Sequence, residues 1–259
     1  MRAPRVYKTE AIVLKQSKLG EADRIITCYT PYLGKMRGVA KGVRRPGSRL
    51  SGHLEPFTHT SLMLAQGQNL DVITQAQTIE GFWPLRQDLR RMSLALYAVE
   101  LVERFTSEGL ENPGLFRLFS AMLHLLGQAE DPESALRFFE VQLLERLGYR
   151  PHLDSCLRCG RAPASGGNYF SPSAGGLLCP FCRSEEPIVY PLSVAALQWL
   201  RRLQAVDIAE MDSLKIPQPQ LKELALRARE YIRYLLEQEI KSAAFVEMLH
   251  QEEGRSRAR

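Results

Sequence analysis

Residues 34–57 read GKMRGVAKGVRRPGSRLSGHLEPF, and the fold of the amino-terminal third turns on how they are understood. Lys35, Arg37 and Lys41 are interleaved with Met36, Val39, Ala40 and Val43. That alternation predicts a strand with one face on a core and the other offered to solvent or ligand. Gly34, Gly38, Gly42 and Gly47 let the backbone turn tightly or approach a ligand without a Cβ in the way. No acidic residue lies between Asp23 and Glu55, whereas Arg24, Lys35, Arg37, Lys41, Arg44, Arg45 and Arg49 all do. A solvated basic strand and loop is the plain reading of such a run. The β periodicity, the missing acids and the hydrophobic strand that follows favour phosphate binding, with Lys35, Arg37, Lys41, Arg44, Arg45 and Arg49 as contacts and Lys18 and Arg24 at the rim.

Working outward, five segments have strand character: Val6–Lys15, Arg24–Tyr29, Lys35–Lys41, Phe57–Leu64 and Leu70–Gln75. Turn chemistry separates them, at Ser17–Gly20, Pro31–Gly34, Arg45–Ser48 and Gly67–Asn69. Five short strands in about 75 residues, the third of them basic, predict a closed barrel of the oligonucleotide-binding (OB) type. An SH3-like barrel remains open on the same pattern. Tyr29, Tyr32 and Phe57 are candidate platforms for stacked bases, with burial in the small barrel as the alternative for each.

The composition changes at Gly81–Pro84. Apolar residues then recur at spacings of three and four, predicting helices over Asp88–Ser107, Gly114–Gly127, Asp131–Leu147, Ser193–Gln204 and Gln218–Leu249. Their apolar stripes are assigned to the core, and Trp83 and Trp199 to the core or the domain junction. Gly254–Arg259 reads as a frayed basic tail. The fold class is therefore α+β and multidomain. An OB-type barrel (1–80) precedes an all-α domain (81–259), into which a distinct module is inserted at about 151–187.

That module holds five Gly and five Pro together with Cys156, Cys159, Cys179 and Cys182. Two C-x-x-C pairs separated by nineteen residues match the spacing of a four-thiolate zinc site. Such a site has no open coordination position, which argues for a structural ion and against catalysis. Redox-active C-x-x-C and disulfides are the weaker readings, because the two pairs ask for one shared ion and a cytosolic chain does not favour disulfides. Cys28, within an apolar run, reads as a buried strand residue.

The totals narrow the function. Residues 1–80 carry twelve Lys/Arg against six Asp/Glu, a balance of +6, and the remaining 179 carry 22 against 23, or −1. Positive charge concentrated in one third indicates a polyanion-binding module. The start MRAPRVYKTE has no apolar core of a secretory signal, so the expected place is the cytoplasm. No run approaches the length of a membrane span. No P-loop, G-x-G-x-x-G, nucleophile elbow or H-E-x-x-H is present, and the five histidines lack ligand spacing, so a non-enzyme is expected.

The runs Glu21-Ala-Asp23-Arg24-Ile-Ile, Gly34-Lys35, Ala40-Lys41-Gly42, Ser48-Arg49 and Leu54-Glu-Pro56-Phe57 resemble the bacterial recombination mediator family RecO. So does the order of parts, with a zinc module between helices as some members have. The resemblance implies binding of single- and double-stranded DNA and annealing of complementary strands. It also implies partnership with RecR and single-strand-binding protein, help in loading RecA, and a place at the nucleoid. An RNA-binding OB and zinc-ribbon protein of translation or transcription is the rival reading, and a pure interaction scaffold is a third.

Overall fold

Five strands, β1 (Val6–Leu19), β2 (Asp23–Thr30), β3 (Gly34–Ala40), β4 (His59–Ala65) and β5 (Asp71–Glu80), close into a barrel of order β1-β2-β3-β5-β4. This computed structural model describes residues 5–243, 246 and 248. Closure depends on β1. Its first half pairs antiparallel with β4, from Val6 opposite Ala65 to Ile12 opposite His59, and its second half pairs with β2. A register shift between Val13 and Lys15 bends the strand from one partner to the other, as a bulge does. Strand β3 meets β5 in parallel only at Gly38 and Val39. Strand β1 runs beyond the expected Lys15, because Gln16–Leu19 stay paired with Ile26–Asp23, and the turn falls at Gly20, with φ 59°.

Alternation fills the barrel. Val13, Ile26, Cys28, Ala40, Leu62, Leu64 and Ile73 are buried together, with Met36 packed against them. Each large aliphatic taken from water contributes about 1.5–3 kcal/mol. Burial pushes the Cys28 thiol up to about 12, so it is an inert strand residue as the sequence indicates.

Three helices complete the first compact unit, which reaches to residue 127. They are α1 (Trp83–Gln87), α2 (Leu89–Phe105) and α3 (Pro113–Gln128). Asp88 caps α2 by accepting from the Arg91 amide at 3.0 Å. Trp83, expected in the core or at the domain junction, is 68% exposed and so lies outside the core. The physical reason is the turn before it. Phe82 adopts a left-handed φ of 47°, is itself buried, and packs edge-on against His124, which leaves Trp83 facing outward.

The second unit covers 128–243 and is built on α4 (Pro132–Arg146), packed against α5 (Val194–Ala205) and α6 (Gln218–Leu236). Asp131 caps α4 ahead of Pro132, and Ser193 caps α5. Helix α4 is buried on nearly every side and holds an internal Arg137–Glu140 pair at 2.9 Å. Helix α6 ends at Leu236, well before the expected Leu249. Glu237 turns into the left-handed region, and Glu239 folds back to Arg233 at 3.3 Å. Phe245 of the expected stripe and the tail Gly254–Arg259 lie outside the described residues. Among the described residues no helix is long and apolar enough to cross a membrane.

Candidate nucleic-acid interface and metal centre

On β3 the side chains of Met36 and Ala40 go to the barrel core, and those of Lys35 and Arg37 go outward. The loop after α2 runs alongside this strand. Gly34 and Lys35 bridge to Glu108, and the Gly109 amide donates to the Lys35 carbonyl at 3.1 Å. Gly34 makes the approach possible, since its φ is 61° and a Cβ there would lie 2.1 Å from the Leu110 oxygen. The consequence is electrostatic. The Lys35 ammonium donates to the Glu103 carbonyl at 2.5 Å, and Arg37 Nε pairs with Glu108 at 2.7 Å. Two of the six expected phosphate contacts therefore already have acceptors in the helical part of their own unit.

The other four lie on the loop after β3. Lys41, Arg44, Arg45 and Arg49 are exposed, and none forms an ion pair among the described residues. The base of this loop is fixed to the β1–β2 turn. Asp23 accepts from the Gly42 amide at 2.7 Å, Ala22 from the Arg44 amide at 2.9 Å, and the Glu21 carbonyl from the Arg44 guanidinium at 2.8 Å. At the rim, Lys18 is exposed, while Arg24 donates to Gln16, which in turn donates to the Leu54 carbonyl at 2.5 Å. Phe57, at φ 48°, is buried beneath Arg86, whose guanidinium donates to the Pro56 carbonyl at 2.7 Å and Thr58 at 2.9 Å. Burial of this guanidinium lowers its pKa. Among the candidate platforms, Tyr29 and Phe57 are buried, and Tyr32 is 68% exposed.

In the second unit the sulfurs of Cys156, Cys159, Cys179 and Cys182 all lie within 4.8 Å of one another, with 3.7 Å between Cys159 and Cys179. A tetrahedron with metal–sulfur bonds of about 2.3 Å has an edge of about 3.8 Å, so the donors fit a four-thiolate ion. Three short strands, β6 (Asn168–Ser171), β7 (Gly176–Leu178) and β8 (Tyr190–Leu192), frame them in the order β7-β6-β8. Leu177 donates to the His152 carbonyl at 2.9 Å, and Gly176 allows that crossing, because a Cβ there would sit 2.3 Å from the same oxygen. Burial would raise the Cys156 thiol, but the backbone amides of Cys159, Cys179 and Arg158 that donate to it hold it at about 6. The core of the module is Cys156, Leu178, Cys179 and Cys182, with Tyr169 and Val189 beside them. Three of those four buried residues are cysteines, so the packing around the sulfurs itself has little apolar content, while Leu153, Phe170 and Leu177 are buried elsewhere in the module.

The family profile described as "Recombination protein O N terminal" matches residues 1–82, and "Recombination protein O C terminal" matches 86–244. The chain belongs to the RecO family. Similar proteins include the "DNA repair protein RecO" of Roseiflexus sp. strain RS-1, 42% identical over 247 residues, which cover 95% of this chain and 87% of that protein. Those of Dehalococcoides mccartyi (strain ATCC BAA-2266 / KCTC 15142 / 195) and Desulforamulus reducens are 40% and 37% identical, covering 96% and 95% of this chain and 98% and 96% of theirs.

Within this RecO-family chain the resemblance motifs have structural work. Glu21-Ala-Asp23 anchors the basic loop, and Leu54-Glu-Pro56-Phe57 forms the seat of Arg86. Glu108 escapes a reading from sequence, where Glu108-Gly109 signals only a helix stop. Its pairing with Arg37 depends on a contact across 71 positions that no local pattern encodes.

Proposed function

We propose that this chain is a non-enzymatic, cytoplasmic, nucleoid-associated recombination mediator. It binds single- and double-stranded DNA through an OB-type barrel (1–80) and anneals complementary strands. With RecR, it helps load RecA onto DNA coated by single-strand-binding protein. The carrying observation is the loop after β3, where Lys41, Arg44, Arg45 and Arg49 are exposed without ion pairs among the described residues, on a base anchored by Asp23. Family membership supplies the DNA-repair setting.

Cations on a fixed loop hold phosphates without reading base edges, releasing condensed counterions as they do so. Two strands neutralised by one surface repel each other less, and their own base pairing then supplies the specificity. Lys35 and Arg37 join this face when a phosphate displaces the Glu103 carbonyl and the Glu108 carboxylate. Cys156, Cys159, Cys179 and Cys182 hold one structural Zn²⁺, which cross-links a segment too poor in apolar residues to order itself.

The test is competition between matched DNA and RNA oligomers, together with an annealing assay lacking any nucleotide cofactor. Preference for DNA with nucleotide-independent annealing is expected. Strong preference for RNA without annealing would move the chain to the translation or transcription class. Absence of any oligonucleotide complex would leave only a scaffold role.

A further inference from the structure

A second surface of the barrel is not accounted for by the basic loop. Outward positions of β1, β4 and β5 line up across the sheet: Lys8 opposite Met63 and then Gln75, Glu10 opposite Ser61 and then Gln77. Two depressions, of about 790 and about 620 Å³, lie on this face. They share Lys8, Ser61 and Gln77 as a common wall and so form one trough. One end of it is lined by Arg49 of the basic loop, the other by Tyr32 and by Arg117 of α3.

The lining identifies the kind of occupant. Lys8, Arg49 and Arg117 are exposed and have no ion pair among the described residues. One carboxylate, Glu10, is present, and it lies 3.4 Å from His59. Tyr32, in the β2–β3 turn, is 68% exposed and so contributes little to the barrel core, yet it offers a whole ring face. Spaced cations, neutral amides and hydroxyls between them, and one free aromatic are the requirements of a sequence-tolerant single strand. An apolar peptide would need a broader hydrophobic wall: beside Tyr32 the exposed apolar lining is limited to Ile79, half exposed, with Pro31 and Pro113, and Phe116 is buried.

We infer that this trough is a second track for single-stranded nucleic acid, continuing from Arg49 past Lys8 to Arg117, with a base stacked on Tyr32. The inference rests on the reading of the loop as a phosphate-binding element. The experiment therefore keeps Lys41, Arg44, Arg45 and Arg49 intact and uses the full chain. Binding of labelled oligothymidylates of about 4 and about 16 nucleotides, the range of site sizes for one such barrel, is measured over a salt series. The variants are Lys8→Ala with Arg117→Ala, and separately Tyr32→Ala.

For the longer oligomer, the double variant lowers the salt slope by about 1.4, two single-strand phosphate contacts, and Tyr32→Ala weakens binding about 5- to 150-fold. The shorter oligomer, held by the loop alone, is bound as by the parent. Unchanged slope and affinity with the longer oligomer overturn the inference and leave the loop reading standing, whether or not the variants have lost a peptide ligand. Failure of the parent chain to bind either oligomer ends the loop reading itself, and this inference with it. Unchanged unfolding midpoints show that the variants are folded.

Discussion

At the scale of single residues, Arg37 and Glu108 make the account sharpest. Their side chains are 47% and 51% exposed, and an ion pair in such a setting is worth about 0–1 kcal/mol. A phosphate arriving at Arg37 therefore competes against a weak partner. Glu108→Ala should strengthen binding of single-stranded oligonucleotides severalfold. It should also steepen the salt slope by about 0.7 as Arg37 takes up a contact. Fluorescence anisotropy across a salt series reads both quantities, and identical curves for parent and variant would place Arg37 outside the interface. The sequence shows why Arg37 projects from the barrel, through its alternation with Met36 and Gly38. It does not show Glu108 beside it, because the contact spans the whole of β4, β5, α1 and α2. Trp83 illustrates the same limit: the sequence leaves a tryptophan there between core and domain junction, and the left-handed turn at Phe82 takes it out of the core.

Elements were legible where one period dominated their pattern. Strand alternation marks β3, a continuous apolar run marks β2, and the spacing of Leu115, Leu118, Phe119 and Met122 marks α3. Helix α4 carries apolar residues on most faces, and its burial on nearly all sides follows. Strands β6–β8 span only three or four residues each, too short for any periodicity to register, so the cysteine spacing revealed the module and its sheet did not. The end of α6 is set by Glu239 reaching back to Arg233, a contact that an apolar stripe does not announce. The four-cysteine cluster is tested by removing its metal. Chelation of the full chain should release one zinc per chain, lower the melting temperature, and open residues 151–187 to proteolysis. Oligonucleotide binding through the loop should persist, because that loop is anchored by Asp23, Ala22 and Glu21 rather than by the module. Removal of metal with unchanged melting and unchanged cleavage would refute a structural role for the ion.

For the molecule as a whole, the asymmetry of charge is the property most directly readable from sequence, +6 in residues 1–80 against −1 in the rest. A basic surface of that kind draws polyanions from a distance and makes capture depend on ionic strength. The structure divides the cations between those with acceptors of their own, Lys35, Arg37 and Arg44, and those without one among the described residues, Lys41, Arg45 and Arg49 on the loop after β3. The central claim is that the second group holds phosphates. The direct measurement is the salt dependence of single-stranded DNA affinity for the parent chain and for the Lys41→Ala, Arg45→Ala, Arg49→Ala variant, which spares the Arg44 contact to Glu21. The account predicts weaker binding at every sequence tested and a slope shallower by about 2, three contacts at about 0.7 each. Equal slopes in two proteins of equal stability would contradict it.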